Sequence, residues 1–329
     1  MINEITTQCH YNNIQAQNKL VLGNCEISWN GLKKICTLEE KIEMVKHIET
    51  PKSRHDELRA GVIGLGMIGG GVAVSLSKNN RIPNVYDVFP EAADKLKGVP
   101  KPLASPAEVA KVSDVVMVAV VNAEQARQVI YGENGLFDGA DHPLTIVLLS
   151  TISHGDVLDL AQRCAKRGIG FLDCGVTRGD KAAEQGLVAI LGGDQDTVNS
   201  AMPVLNDWAK EVVHCGPIGA GMAAKIARNL ITFGTWSIVA EAEAIATAAG
   251  INLKKLVDII EGADPQGETL LTLLKIKIAG TPKEIIQQQI QRYMEKDLSA
   301  AGELASELAL NLPLRDVAEA RMRFTLGLE

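Results

Sequence analysis

The chain has 329 residues, of which 46% are hydrophobic and 22% charged, a composition typical of a globular protein. Its 33 basic and 40 acidic side chains give a net charge of −7, which argues against a nucleic-acid-binding surface. The longest strictly apolar run, residues 115–121, is far shorter than the about 20 residues that a membrane span needs. The length suggests two domains. Because the six cysteines form no disulfide scaffold and the first twenty residues show no signal-peptide pattern, we expect a cytoplasmic protein without a membrane segment.

Residues 1–58 carry no repeat and no motif, and we expect a partly ordered or disordered N-terminal extension. Residues 39–47 could form one isolated amphipathic helix. Cys9, His10 and Cys25 match no familiar ligand spacing, and no metal site is predicted in the chain.

From residue 59 onward, short apolar strands alternate with helical segments. The predicted strands are 61–63, one ending at 87, 115–121, 145–149 and 170–173, and the predicted helices are 67–78, 90–97, a short one from 105, 123–131 and 154–167. Strands that are apolar along their whole length indicate a parallel sheet covered by helices on both faces. We therefore predict an α/β, doubly wound Rossmann-type domain over residues 59–217.

After residue 221 the strand pattern stops. Residues 222–249 contain no proline and predict a helix of about 28 residues, roughly 42 Å long at 1.5 Å per residue. Further helices are predicted at 253–261, 268–278, 282–293, 297–310 and 313–326. The prediction is an all-α C-terminal domain over 218–329, linked to the first domain by the long helix.

The segment Gly64-Leu65-Gly66-Met67-Ile68-Gly69 has the spacing G-x-G-x-x-G. Gly64 permits a tight turn, Gly66 lets the backbone approach a pyrophosphate, and Gly69 allows close packing of helix on strand. The N–H groups of Met67 and Ile68, at the start of the new helix, would face the anion. The motif follows a predicted strand and opens a predicted helix, which favours dinucleotide binding over a glycine-rich turn of another kind.

Asp87 lies 18 residues beyond Gly69, at the end of the second predicted strand. A carboxylate there can accept hydrogen bonds from both hydroxyls of the adenosine ribose. No arginine follows it to neutralise a 2′-phosphate. The sequence therefore predicts NAD rather than NADP as the cofactor.

With these motifs in place, the chain resembles the β-hydroxyacid dehydrogenase family, which includes 3-hydroxyisobutyrate dehydrogenase and tartronate semialdehyde reductase. The likeness runs from Arg59 to Met322. Beyond the glycine loop it includes Ser150-Thr151-Ile152-Ser153, the Asp-Cys-Gly-Val-Thr-Arg-Gly segment at 173–179, the Gly-x-x-Gly-x-Gly-x-x-x-Lys-x-x-x-Asn segment at 216–229, and Lys296-Asp297-Leu298.

The resemblance implies that Lys225 is the general acid/base, with Asn229 beside it. The two residues are four apart and so share one helical face. An ammonium can donate a proton to a carbonyl oxygen, and an amine whose pKa is lowered by burial can accept the alcohol proton. Spacing alone would favour a solvated lysine on an alanine-rich helix, and the motif context reverses this preference.

The remaining site residues are also implied by the resemblance. The substrate carboxylate would be held by Ser150, Thr177 and Gly179, and the cofactor by Thr151, Val121 and Asn122, with Lys296 closing over the site from the helical domain.

The segment departs from the family's Asp-Ala-Pro-Val-Ser-Gly-Gly motif at Gly175, Thr177 and Arg178, which stand where it has proline, serine and glycine. A guanidinium next to a carboxylate clamp could bind a second anionic group, or it could point outward to solvent or a neighbouring subunit. The first alternative predicts a substrate that is more acidic or more oxygenated than 3-hydroxyisobutyrate.

Together these features predict an oxidoreductase that transfers a hydride between NAD(H) and a small anionic 3-hydroxy acid or semialdehyde. The apolar helical domain predicts a homodimer or homotetramer, although the chain ends at Glu329, before the family's closing helix. One alternative is an NADPH-dependent semialdehyde or imine reductase on the same scaffold. Another, of a different class, is a dinucleotide-binding sensor without catalysis.

Overall fold

The computed structural model describes residues 58–279 and 284–328, together with two short strands near the N-terminus. These strands, β1 (Lys19–Leu22) and β2 (Cys25–Ser28), pair antiparallel. They belong to a compact unit, Met1–Leu58, and Arg59–Glu329 forms a second one. The helix predicted at 39–47, and the side chains of Cys9, His10 and Cys25, lie outside the described part of the chain.

A seven-stranded sheet organises the second unit. Its strands are β3 (Ala60–Ile63), β4 (Asn84–Tyr86), β5 (Val115–Val118), β6 (Thr145–Leu148), β7 (Gly170–Thr177), β8 (Leu187–Gly192) and β9 (Ala209–His214). The spatial order is β4-β3-β5-β6-β7-β8-β9. The sheet is buried between its helices, as the apolar strands predicted, and Val62, Met117 and Leu148 have no exposed surface.

The sheet is parallel from β4 to β7, as predicted, whereas β8, for which the sequence predicted no strand, pairs antiparallel with β7. Strand β7 is also longer than the predicted 170–173, because it continues to Thr177. The chain then returns through a short 3₁₀ turn, Gly179–Glu184, directly into β8. A connection this short cannot include the crossover that a parallel partner needs, so the strand direction must reverse.

Six helices flank the sheet: α1 (Met67–Lys78), α2 (Pro106–Lys111), α3 (Ala123–Tyr131), α4 (Leu136–Gly139), α5 (His154–Ala165) and α6 (Gln195–Asn206). Four of them begin at a capping residue whose side chain accepts a hydrogen bond from the backbone N–H three residues later. These caps are Ser105, Asn122, Ser153 and Asp194. The segment predicted as a helix at 90–97 is a 3₁₀ helix, Pro90–Lys95.

After β9, the described residues form the helices α7 (Ala220–Ala248), α8 (Leu253–Ala263), α9 (Thr272–Ile278), α10 (Glu284–Glu307), α11 (Pro313–Ala320) and α12 (Met322–Leu326). The predicted helices 282–293 and 297–310 are one helix, α10, since the residues between them contain no glycine or proline to end it. The single helix predicted at 313–326 is interrupted at Arg321. In the described ranges, no helix is long and apolar enough to cross a bilayer.

The order of strands places a switch point between β3 and β5. The chain leaves β3 toward β4 on one side of it, and β5 lies on the other side. The crevice at the carboxyl ends of such neighbouring strands is where ligands bind in open α/β sheets. The glycine loop lies there, directly after β3.

Candidate active site

The glycine loop is held tightly against the end of β5. Gly64 has φ +85°, and a side chain on it would collide with the carbonyl of Ala119. A side chain on Gly69 would collide with the carbonyl of Gly64, so α1 packs as closely on the strand as the motif requires.

Gly66 faces open space, in contrast to its two motif partners. It is the N-cap of α1, and nothing lies within 4 Å of the position that its Cβ would take. The first hydrogen bond of this turn runs from the Gly70 N–H to the Gly66 carbonyl, at 2.8 Å. The preceding N–H groups therefore point out of the helix end, which is a suitable cradle for a pyrophosphate.

Asp87 lies next to this cradle. Its Oδ2 accepts the N–H of Leu65 at 2.6 Å, and its Oδ1 accepts the N–H of Phe89 at 2.9 Å. Each carboxylate oxygen keeps a lone pair for a further donor. The carboxylate is thus oriented by the glycine loop itself, at the position where a ribose would follow the pyrophosphate.

Ser150 is buried at the end of β6 and is bonded to the loop after β5. Its Oγ donates to the Val120 carbonyl at 2.6 Å and accepts the Val120 N–H at 3.0 Å. The only proton of the hydroxyl is used in this contact. This contact joins two loops, and the predicted contact of Ser150 with the substrate stays a prediction. The exposed Thr151 lies beside it.

Val121 and Asn122, predicted cofactor contacts, lie in the same loop. The Val121 side chain is 82% exposed. Asn122 caps α3, because its Oδ1 accepts the Gln125 N–H at 2.9 Å, and the Gln125 side chain accepts the Val121 N–H in return. The side-chain oxygen of Asn122 is therefore used in the cap, while Val121 is open to a ligand.

Lys225 lies on α7, the long helix, and is only 8% exposed. Its Nζ donates to the Val176 carbonyl on β7 at 2.6 Å. Burial lowers the pKa of the amine, and the nearby Arg228 cation lowers it further. A lysine whose neutral form is favoured in this way can exchange a proton with a substrate oxygen.

The substrate-motif residues follow Val176 directly. Thr177 ends β7 and is half-buried, and Arg178 adopts φ +63°, the conformation for which the family's glycine is suited. The Arg178 side chain is 63% exposed, with its Nε 3.8 Å from Asp180. Gly179 lies against the cofactor cradle, since a Cβ there would come within 2.8 Å of the Ile68 side chain and 3.2 Å of that of Met67.

Asn229 is half-buried one turn beyond Lys225, as their spacing predicted. Its Oδ1 accepts a hydrogen bond from Arg228 at 3.2 Å. The Nδ2 hydrogens are the remaining donors of this amide.

Lys296 is not brought to the cradle by any described contact. It lies on α10 with 74% of its side chain exposed, and its Nζ is 3.2 Å from the neighbouring Asp297. Its predicted closure over the cofactor stays a prediction. Among the described residues, no group of three or more His, Cys, Asp or Glu side chains could hold a metal ion.

One feature of the site was not predicted from the sequence. The buried carboxylate of Asp173, on β7, accepts the N–H of Gly219 at 2.7 Å and the N–H of Met222 at 2.6 Å, both at the start of α7. An acidic residue at the head of the substrate motif was the available signal, but only the packing of α7 on β7 shows what it contacts.

Two family models cover the described second unit. Residues 59–216 match the NAD binding domain of 6-phosphogluconate dehydrogenase, and residues 219–327 match the model described as NAD-binding of NADP-dependent 3-hydroxyisobutyrate dehydrogenase. The chain belongs to the 3-hydroxyisobutyrate dehydrogenase family. The predicted resemblance is confirmed. The chain is therefore an oxidoreductase of this family with a dinucleotide-binding domain.

Relatives of full length support this assignment. An uncharacterised oxidoreductase of Mycobacterium tuberculosis is 31% identical over 291 residues, which are 86% of this chain and 96% of that protein. The L-threonate dehydrogenase of Haemophilus influenzae is 30% identical over 270 residues, 80% of this chain and 87% of that protein. Members of this family of oxidoreductases act on hydroxy acids.

Solved structures confirm the predicted fold class. An oxidoreductase from Mycobacterium avium 104 superimposes with a TM-score of 0.74 at 28% identity, over 82% of this chain and 99% of that one. The V8 variant of an imine reductase from Myxococcus stipitatus, in complex with NAD+, has a TM-score of 0.70 at 17% identity, over 83% of this chain and 94% of that one. The second likeness shows a shared fold alone.

Proposed function

We propose that this member of the 3-hydroxyisobutyrate dehydrogenase family is an NAD-dependent dehydrogenase of a small anionic 3-hydroxy acid, with Lys225 as its general acid/base. The buried amine of Lys225, bonded to the carboxyl-terminal part of β7, is the observation that carries the proposal. When bound, the dinucleotide accepts or supplies the hydride. Gly66, open to solvent at the start of α1, fits its pyrophosphate, and Asp87 fits its ribose.

Lys225 would move the proton that accompanies this transfer. During reduction of a semialdehyde, the ammonium donates a proton to the carbonyl oxygen, which becomes the hydroxyl. During oxidation of the alcohol, the neutral amine takes that proton back. The lowered pKa of Lys225 increases the fraction of the amine near neutral pH, which makes both directions accessible.

The neighbouring side chains would hold the substrate. Asn229 can donate from Nδ2 to the reacting oxygen, since its Oδ1 already accepts from Arg228. Thr177 and the backbone at Gly179 can donate to the substrate carboxylate, while Ser150 fixes the loop that carries Val120. Thr151, Val121 and Lys296 are proposed cofactor contacts.

We infer NAD as the preferred cofactor from the surroundings of Asp87. Its carboxylate would accept ribose hydroxyls but repel a 2′-phosphate, and Val88, Phe89 and Pro90 follow it. Titrating the protein with NADH and NADPH and comparing the two dissociation constants tests this inference. Tighter binding of NADPH would overturn it.

Arg178 supports a substrate with a second anionic or oxygen-rich group. It retains φ +63° although an arginine is strained there, and it directly follows β7, the strand whose carbonyl binds Lys225, with its guanidinium exposed. The similarity to an enzyme named for L-threonate, a polyhydroxylated acid, agrees with an oxygen-rich substrate.

An imine reductase on the same scaffold is the second candidate, favoured by the shared fold. The buried Lys225 supports hydroxy-acid chemistry instead, because an alcohol oxygen needs a partner for proton exchange. A sensor without catalysis would need neither a buried lysine nor a lowered pKa at that position.

The deciding experiment combines a substrate screen with one substitution. The wild-type protein is assayed with NAD(H) against small 3-hydroxy acids, semialdehydes and cyclic imines. Lys225→Ala is expected to lose at least about 10²-fold in kcat, as is usual for loss of a general acid/base, while its NADH dissociation constant is unchanged. Lys254→Ala, on the exposed surface of α8, is the control.

Near-normal turnover of a hydroxy acid by Lys225→Ala would refute the role of the lysine. Turnover of imines alone would favour the second candidate. NADH binding without turnover of any substrate in the screen would favour the sensor.

A further inference from the structure

The residues that hold Lys225 in place lie on one strand, β7. Asp173 is fully buried, and both of its carboxylate oxygens accept backbone N–H groups from the start of α7, Gly219 at 2.7 Å and Met222 at 2.6 Å. A carboxylate at a helix N-terminus is favoured by the helix dipole and by the unpaired N–H groups there. Asp173 therefore attaches the first turn of α7 to β7.

Lys225 follows Met222 by three residues, so it lies on the same side of α7 as the attached turn. Val176, whose carbonyl accepts the Nζ of Lys225 at 2.6 Å, follows Asp173 by three residues on β7. The two contacts thus join the same strand to the same helix at successive points. A shift of the first turn of α7 would move the lysine with it, because the helix between them is continuous.

Gly175 lies between these two contacts. A Cβ at this position would collide with the Cβ of Lys225 and would lie 2.8 Å from its Cγ and 3.3 Å from its Cδ. The stem of the lysine therefore lies directly on the backbone of β7. In this chain the stem uses the space that the missing side chain of residue 175 leaves, at a position where the family motif has proline.

We propose that Asp173 is a positioning residue for Lys225, and that Gly175 is the position that admits the lysine stem to β7. Asp173 fixes where α7 begins, Gly175 lets the stem lie flat, and the Val176 carbonyl receives the amine. The inference rests on the proposed function of Lys225, and it adds that residues of β7 determine where the amine lies.

The test uses Asp173→Asn, Asp173→Ala and Gly175→Ala in the full chain. Asparagine keeps the shape but offers only one acceptor to the two N–H groups, so it is expected to lie between wild type and Asp173→Ala. A displacement of a catalytic group by about 1 Å can lower the rate about 10²-fold, and we expect kcat losses of that order for Asp173→Ala and Gly175→Ala. The dissociation constant of NADH should not change, since neither residue contacts the glycine loop.

Two matched controls separate positioning from general damage to the fold. Gly61 lies on β3 of the same sheet. Gly61→Ala places a methyl group 2.7 Å from the Val109 side chain and 2.9 Å from that of Val116, so it causes similar crowding away from Lys225. Asp194→Ala removes the carboxylate cap of α6, a helix that carries no proposed site residue. Both controls should retain kcat even if they lower the melting temperature.

A second readout does not depend on turnover. The rate at which an N-hydroxysuccinimide acetate reagent modifies Lys225, followed by peptide mass spectrometry, reports how well the amine is buried. The acetylation rate of Lys225, measured relative to that of the exposed Lys254, should rise in Asp173→Ala and Gly175→Ala. In Gly61→Ala this relative rate should stay at the wild-type value. Wild-type kcat together with wild-type acetylation in both variants overturns the proposal.

Failure of the proposed function would look different. If the wild-type protein turns over no hydroxy acid, the role of Lys225 fails, yet the acetylation rates still decide whether Asp173 and Gly175 place its amine. Equal losses of kcat in the variants and in the two controls would show damage to the fold and would also overturn the proposal.

Discussion

At the residue scale, the protonation of Lys225 depends on two influences with the same sign. Burial removes water from the ammonium, and Arg228 adds a positive charge one helical turn away, so both lower the pKa of the amine. Arg228 is exposed, and its contribution is therefore the part that can be changed without disturbing the core.

We predict that Arg228→Ala raises the pKa of Lys225. The amine needed for oxidation predominates above this pKa, so the rate of oxidation rises with pH through it and the rate of reduction falls. Both profiles should therefore move to higher pH in the variant. The pH dependence of kcat in each direction measures the shift, and Arg228→Lys, which keeps the charge, is the control. Profiles that move to lower pH would contradict the assignment.

Arg178 gives a prediction in which stability and substrate recognition separate. Because residue 178 has φ +63°, Arg178→Gly relieves a backbone strain of about 1 kcal/mol, offset in part by the greater freedom of glycine in the unfolded chain. We expect the thermal stability of the variant to be unchanged or slightly higher. We also expect the substitution to raise KM for dianionic substrates more than for monoanionic ones. If KM is the same in the variant as in the wild type for both classes of substrate, Arg178 does not contact the substrate.

At the scale of elements, two glycines at the start of α1, Gly66 and Gly69, are needed for different physical reasons. Gly69 is fixed by packing, because its missing side chain lets the helix approach the Gly64 carbonyl. Gly66 is surrounded by open space, so no contact within the protein requires glycine there. A bound pyrophosphate is the remaining physical reason for a glycine at residue 66.

We therefore predict opposite outcomes for two substitutions in one turn. Gly69→Ala should destabilise the protein by about 1–3 kcal/mol through overpacking. Gly66→Ala should leave the free energy of unfolding within about 1 kcal/mol of wild type but weaken NADH binding. Urea unfolding and NADH fluorescence titration measure the two effects. A Gly66→Ala variant that binds NADH normally would place the pyrophosphate elsewhere.

At the scale of the whole molecule, α7 carries an apolar surface that the described helices leave open. Leu230, Phe233, Trp236 and Val239 are between 55% and 74% exposed, and the rings of Phe233 and Trp236 contact each other edge to face with centroids 5.4 Å apart. Helices that are apolar around most of their circumference are usually buried. A second copy of the chain, as the sequence predicted, would cover this surface.

Sedimentation at micromolar concentration is accordingly expected to show a dimer or tetramer. Trp236→Glu, which places a charge on the apolar surface, should shift the protein toward the monomer, because burying an unpaired carboxylate is strongly unfavourable. Ser200→Glu, at an exposed position of α6, makes the same change of one negative charge and is the control. A wild-type protein that sediments as a monomer would contradict the prediction.

The sequence determined the elements whose signals are local. Helices α1 and α3 were predicted to the residue, since each starts at a glycine turn or a capping side chain and continues with an apolar face. The glycine loop, Asp87 and the spacing of Lys225 and Asn229 are likewise readable without coordinates, because each depends on a short segment.

Tertiary structure alone decided the contacts between distant segments. The reversal of β8, the use of the Ser150 hydroxyl by Val120, and the attachment of α7 by Asp173 all join residues that are far apart in the chain or whose partners have no sequence signature. Hydrogen-bonding groups choose their partners by position, and position is set only when the strands and helices pack. The sequence could therefore identify the lysine, whereas only the packed sheet shows what holds it in place.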